Sequence, residues 1–156
     1  MKTLYYILPG LMLAAVIFFI VLGIMSRSGN AAGLIDGKLS ACPDKPNCIC
    51  SEFSGDNSHY LSPLALNKTI AETAMSNLHA VVSELGGEIQ TADQYYLAAR
   101  FKSALFGFVD DLEIRIDVEG QKIHLRSASR VGHGDLGANK KRIDQLKKMY
   151  QSRVGS

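Results

Sequence analysis

Asp111-Leu-Glu-Ile-Arg-Ile-Asp-Val-Glu119-Gly120-Gln-Lys-Ile-His-Leu-Arg-Ser-Ala-Ser-Arg130 alternates in character around one glycine. Leu112, Ile114, Ile116 and Val118 fall on one side of an extended chain; Asp111, Glu113, Arg115 and Asp117 fall on the other. Glu119-Gly120 reads as a two-residue hairpin turn. Counting back from it sets Asp117 against Lys122, Arg115 against His124 and Glu113 against Arg126. It also sets Ile116 against Ile123 and Ile114 against Leu125. Each polar pair brings opposite or hydrogen-bonding partners together, worth roughly 0.2–1 kcal/mol apiece. Further out, Leu112 meets Ser127 and Asp110 meets Ser129. Asp110, Ser127 and Ser129 thus lie on the apolar side, where buried polar groups must satisfy one another.

Working upstream, Tyr95–Ser103 places Tyr95, Leu97, Ala99 and Phe101 on one face and Arg100 and Lys102 on the other. Glu88–Thr91 precedes it across a turn at Ala92–Gln94. Before these strands, Thr69-Ile-Ala-Glu72 matches a capping box, and Ile70, Ala74, Leu78, Val81 and Leu85 form a helical stripe ended by Gly86-Gly87. His79 is off the stripe and reads as a surface residue. Ala104-Leu-Phe-Gly-Phe-Val109 is an apolar link, read as a buried connection, with a membrane-touching loop as the alternative. Downstream, Gly132, Gly134 and Gly137 alternate with His133 and Asp135, and a last helix carries Ile143, Leu146 and Tyr150 on one face. The expectation is an α+β domain: a four-stranded antiparallel sheet with two helices packed on one face. Arg100, Lys102, Glu113, Arg115, His124 and Arg126 are left on the other.

The N-terminus is different in kind. Leu4–Met25 is 22 residues without a charge. As a helix it spans about 33 Å, enough for a hydrocarbon core of about 30 Å. Tyr5 and Tyr6 mark an interface, and Pro9 and Gly10 are tolerated inside membrane helices. A secretory signal has a shorter apolar core, so the expectation is a single-pass anchor over residues 1–26, a linker over 27–41 and a folded domain over 42–152. Lys2 before the helix orients the domain outside the cytoplasm. The alternative is a signal cut near Gly29–Gly33, releasing a secreted or periplasmic domain. Leu39-Ser-Ala-Cys42 imitates a lipoprotein box but lies too far beyond Met25.

The 156 residues carry a formal net charge of only +2, which excludes whole-protein attraction to nucleic acid. The charge is polarised: residues 36–121 hold thirteen acids and six bases, residues 122–156 two acids and nine bases. The two halves either pair internally or present a basic surface to anionic lipid. Phosphate-loop and dinucleotide fingerprints are missing, and no cofactor is expected.

Cys42-Pro-Asp-Lys-Pro-Asn-Cys48-Ile-Cys50 is turn-rich. Cys42–Cys48 and Cys42–Cys50 are both open as small-loop disulfides, with Cys42–Cys48 the pair adopted. A zinc site would recruit His59, but the spacing is unlike known zinc patterns, so no metal is expected.

Cys42-Pro-x-x-Pro-Asn-Cys48, Phe106-Gly-Phe-Val-Asp-Asp111 and Arg126-Ser-Ala-Ser-Arg-Val-Gly-x-Gly-Asp135-Leu-Gly-x-Asn139-x-x-Arg142 together resemble domain-of-unknown-function family 1499, from about Leu39 to Tyr150. The resemblance implies a bacterial or plastid envelope-type protein with a membrane or signal segment. It implies no established activity. Cys50 stands where serine is expected in that family, so the resemblance carries no three-cysteine metal site.

The candidate ligand-binding set is Asp110, Asp111, Arg126, Ser127, Ser129, Arg130, Asp135, Asn139 and Arg142. Arginines beside a glycine-rich helix start suit an anion or a lipid headgroup. The expected role is a binding or structural module at the membrane surface, its partners membrane lipid and conceivably another protein. The alternative is a hydrolase using Ser129, His133 and Asp135, without a nucleophile-elbow pattern to support it.

Overall fold

The computed structural model describes residues 2–66 and 70–155, with side chains from Tyr6 onward. The central hairpin is β7 (Val109–Asp117) and β8 (Lys122–Ser129). Its register runs from Asp110 opposite Ser129 to Asp117 opposite Lys122, as counted from the turn. The turn itself takes four residues, Val118–Gln121, rather than two. Asp117 Oδ1 accepts the Gly120 N–H at 2.9 Å, and Gln121 adopts φ 50°. Either connection sets residue 117 against 122, so the ladder is unaffected. Here β6 (Tyr96–Lys102) pairs with β7, and β5 (Glu88–Ala92) pairs with β6 through a bulge between Ile89 and Thr91.

The expected four-stranded sheet is in fact six-stranded. The free edge of β8 is covered by β3 (Cys48–Cys50), opposite Arg126–Ala128, and by β4 (Leu64–Ala65), opposite Lys122 and Ile123. A separate two-stranded sheet joins β1 (Leu34–Ile35) to β2 (Lys38–Leu39). Strands of two or three residues are too short to show alternation. The prolines at 43 and 46 keep only the residues around them out of a ladder. An edge with unpaired N–H and C=O groups nevertheless demands partners, and these short pieces supply them.

Helices α2 (Ala71–Glu84) and α3 (Ala138–Val154) cover one face of the main sheet. Leu78, Val81 and Val82 meet Ile143, Leu146 and Tyr150 over Leu97, Leu112, Ile114, Ile123 and Leu125, forming one core. Ile70 departs from the expected stripe. It caps α2 in an extended conformation and is 66% exposed, while Ala71 and Met75 turn inward. The capping box falls on Thr69, which lies outside the described residues. Gly86 closes α2 at φ +83°, a conformation that favours glycine.

The opposite face is not left to solvent. Residues 27–40 and the Ser51-Glu52 corner lie across it. Leu39 is fully buried there, and Glu52 takes a bidentate bond from Arg115 at 2.6 and 3.1 Å. The segment read as a linker is thus packed against the sheet. Ahead of it stands α1 (Lys2–Ser26), with Pro9 inside. Tyr6–Ser26 is long and apolar enough to cross a membrane, a test a signal sequence also passes.

Candidate functional site

Alternation along β7 and β8 divides the predicted ligand residues between two faces of one sheet. On the helix side lie Asp110, Ser127 and Ser129, met by Asp135 just ahead of α3 and by Asn139 and Arg142 from its start. Asn139 is almost wholly buried; its Oδ1 accepts from Ser127 Oγ at 2.6 Å and from Arg142 Nη1 at 2.6 Å. Its Nδ2 reaches the Asn47 carbonyl (3.0 Å), Ser129 Oγ (3.0 Å) and Asp135 Oδ2 (2.8 Å), three acceptors for two hydrogens. Arg142 Nη2 donates to Asp110 Oδ2 at 2.7 Å while its guanidinium lies 4.6 Å from the Phe101 ring centre. Asp135 accepts the backbone N–H groups of Gly137 and Asn139, which is a helix-capping arrangement. Polar groups forced onto the core side by the register therefore satisfy one another and pin α3 to the sheet.

On the other side lie Asp111, Arg126 and Arg130. Arg130 holds Asp111 in a fork at 2.8 and 2.7 Å and donates to the Gly29 carbonyl at 2.6 Å, just past the end of α1. Arg126 Nη1 donates to Glu113 Oε2 at 2.8 Å. Glu113 is 0% exposed and also accepts from Tyr96 Oη (2.8 Å) and from the Gly33 N–H (2.7 Å). Burial, then the Glu113 charge, push the Tyr96 phenol far above its ordinary value, so it stays a donor. Arg126 is only 7% exposed, and its Nε has no hydrogen-bond partner among the described residues. A pocket of about 290 Å³ opens here, between Ser28, Gly29, Asn30 and Ala32 on one wall and Asp111, Arg126 and Ala128–Arg130 on the other.

His133 stands apart, exposed on the glycine-rich connection, with no hydrogen bond to Ser129 or Asp135. Ser51 and His124 do meet, the Ser51 hydroxyl (3.3 Å) and the Glu52 carboxylate (3.6 Å) both at His124 Nδ1, with Asp117 Oδ2 3.9 Å from Nε2. A triad needs an orienter hydrogen-bonded to the ring nitrogen opposite the nucleophile; 3.9 Å is too long for that bond, and Ser51 is buried besides.

Cys42 and Cys48 are joined by a disulfide, leaving Cys50 as a buried thiol. Burial pushes the Cys50 thiol up, against the thiolate a nucleophile or metal ligand needs. His59 is occupied at both ring nitrogens, by Asp56 Oδ2 (2.7 Å) and the Lys45 carbonyl (3.0 Å). No cluster of three metal-ligating side chains forms among the described residues.

The family model described as a protein of unknown function (DUF1499) matches residues 38–149. The chain belongs to the DUF1499 family. Within this DUF1499 domain lie the side chains of both polar clusters, Glu52 and the disulfide, whereas α1, the Ser28–Ala32 wall of the pocket and the Gly33 N–H precede the match. No curated protein matches the chain.

The sequence pattern groups Asp111, Arg126, Ser129 and Arg130, which share one wall of the pocket, but neither the Ser28–Ala32 wall nor the groups behind the arginines. Glu113, Tyr96, Gly33 and Glu52 were assigned to an open face or to no site. The Glu113–Arg126 cross-strand pair carries no signal that the face is covered, since opposite charges pair on open sheet faces as readily as on covered ones.

Proposed function

We propose that this DUF1499 protein is a single-pass, membrane-anchored domain that holds the phosphate of an anionic lipid headgroup where α1 leaves the bilayer. The observation that carries this reading is the pocket itself, with Arg126 and Arg130 in one wall, at the end of an apolar helix. Two guanidiniums in one wall suit a phosphate, whose oxygens accept charge-assisted hydrogen bonds from them. The pocket volume sits at the lower end of small-molecule sites, roughly 300–1,000 Å³, which suits a headgroup better than a larger ligand. Each arginine already faces a carboxylate, Arg126 with Glu113 and Arg130 with Asp111. A phosphodiester with one negative charge is easier to accept against those carboxylates than a dianion. The Cys42–Cys48 disulfide supports placement in an oxidising compartment, outside the cytoplasm.

The test is thermal melting of the full-length, delipidated protein in neutral detergent. Short-chain phosphatidylglycerol should raise Tm, and Asn30→Asp, an exposed change at the rim, should abolish that rise. An equal rise with inorganic phosphate would make this a free-anion site. No rise with either probe would overturn the reading.

A further inference from the structure

The β6–β7 connection carries a second message about the membrane. Ser103–Phe108 forms a closed turn: Gly107 N–H donates to the Ser103 carbonyl at 3.1 Å, and Phe108 N–H donates to Ser103 Oγ at 3.0 Å. Its apolar side chains do not enter the core. Phe106 stacks on Phe19 of α1 with ring centres 5.3 Å apart, and Phe108 meets the same ring edge-on at 6.5 Å. The turn lies so close to the helix that a Cβ at Gly23 would run into the Phe106 carbonyl oxygen. Ser26 Oγ, at the end of α1, accepts the Val109 N–H at 3.0 Å. Leu105, at the tip, is 81% exposed.

Helix length turns these contacts into a depth. A span needs about 20 residues, and α1 has 25, so the membrane register can slide by about one turn. Lys2 cannot enter the hydrocarbon, so the span starts at Thr3 or later and ends at Leu22 or later. Phe19 is inside in every allowed register, and whatever stacks on it shares its depth. At about 1.5 Å per residue, Phe19 lies roughly 10 Å below Ser26, which matches the reach of interfacial apolar segments. The Arg27 guanidinium lies over Gly107, where a Cβ would come within 2.9 Å of its Nη2, a position that suits the headgroup layer.

We propose that the tip of this loop, Leu105 and Phe106, inserts into the bilayer beside α1 at the boundary of headgroups and acyl chains. It forms a second membrane contact that sets the tilt of the domain and holds the arginine pocket at headgroup level. The inference rests on α1 being a retained anchor.

The chain has no tryptophan, so one introduced residue reports alone. Leu105→Trp, Met12→Trp and Val118→Trp are each made in the full-length protein and reconstituted into phosphatidylcholine–phosphatidylglycerol vesicles. Emission is then read with acyl-chain-brominated lipid and with aqueous iodide. The expected result is strong quenching by brominated lipid at positions 12 and 105, and quenching by iodide alone at 118, in the far turn. Position 105 open to iodide, with position 12 in the bilayer, would overturn the inserted loop and leave the anchor standing. Positions 12 and 105 both open to iodide would overturn the anchor and the loop together. Brominated-lipid quenching at 118 would overturn the tilt.

Discussion

On its helix side the sheet meets α2 and α3 through Leu97, Leu112, Ile114, Ile123 and Leu125; on its other side it meets residues 27–52 through Glu113, Arg115, His124 and Arg126. The first face is held by apolar area, which is non-directional and tolerates conservative change. The second is held by paired charges whose removal from water is compensated only while every partner is present. One hairpin supplies both faces, because successive residues point opposite ways. The comparison shows why a face rich in charge need not be a surface. Such a face also leaves one donor over, Arg126 Nε, without a partner among the described residues.

The largest effect should come from breaking the charged face at its centre. Glu113→Ala strands Arg126, Tyr96 Oη and the Gly33 N–H, and should cost about 3–5 kcal/mol in urea unfolding. A loss below about 1 kcal/mol would mean that residues 27–40 do not close over the sheet. On the apolar face, Leu125→Ala should cost about 2–5 kcal/mol through a cavity. The faces should differ in repair: Leu125→Met should be nearly silent, whereas Glu113→Gln, close in shape, should stay strongly destabilised.

A smaller loss is expected at the sheet end. Asn139→Ala leaves Ser127, Arg142 and Asp135 short of partners and should cost about 1–3 kcal/mol, read as a lower urea midpoint. The smallest effect concerns pH. Burial, more than any neighbouring charge, lowers the His124 pKa below its ordinary 6.5. Below that value the unfolded chain takes up a proton that the folded chain refuses. The contribution is therefore full above about pH 6.5 and is lost as pH falls towards the lowered folded value. Unfolding midpoints of His124→Gln should change less between pH 7 and pH 5 than those of the native protein. An unchanged pH profile would contradict this.

Much of the fold was legible because it is local. The β7–β8 register follows from one turn and a period of two, and holds from Asp110–Ser129 to Asp117–Lys122. The stripe of Ile143, Leu146 and Tyr150 faces the core as its spacing requires. β3 and β4 were invisible because their partners lie some sixty to eighty residues away and each piece is too short to carry a period. The candidate site was half legible for the same reason. Parity tells which residues share a face, so Asp110, Ser127 and Ser129 could be grouped. It does not tell what lies over that face. Gly33 reaches Glu113 across eighty residues, and nothing in the chemistry of Gly33 announces it.

A domain held on the membrane by α1, with a phosphate-sized pocket at the helix exit, should be recognisable by mass. Native mass spectrometry of the full-length protein, released gently from its own membrane, tests it most directly. The predicted spectrum shows a chain that retains α1 and carries a phospholipid adduct, which Asn30→Asp removes. A chain lacking about the first 30 residues would contradict the anchor, as a cleaved signal requires. An intact chain with no adduct would contradict the pocket.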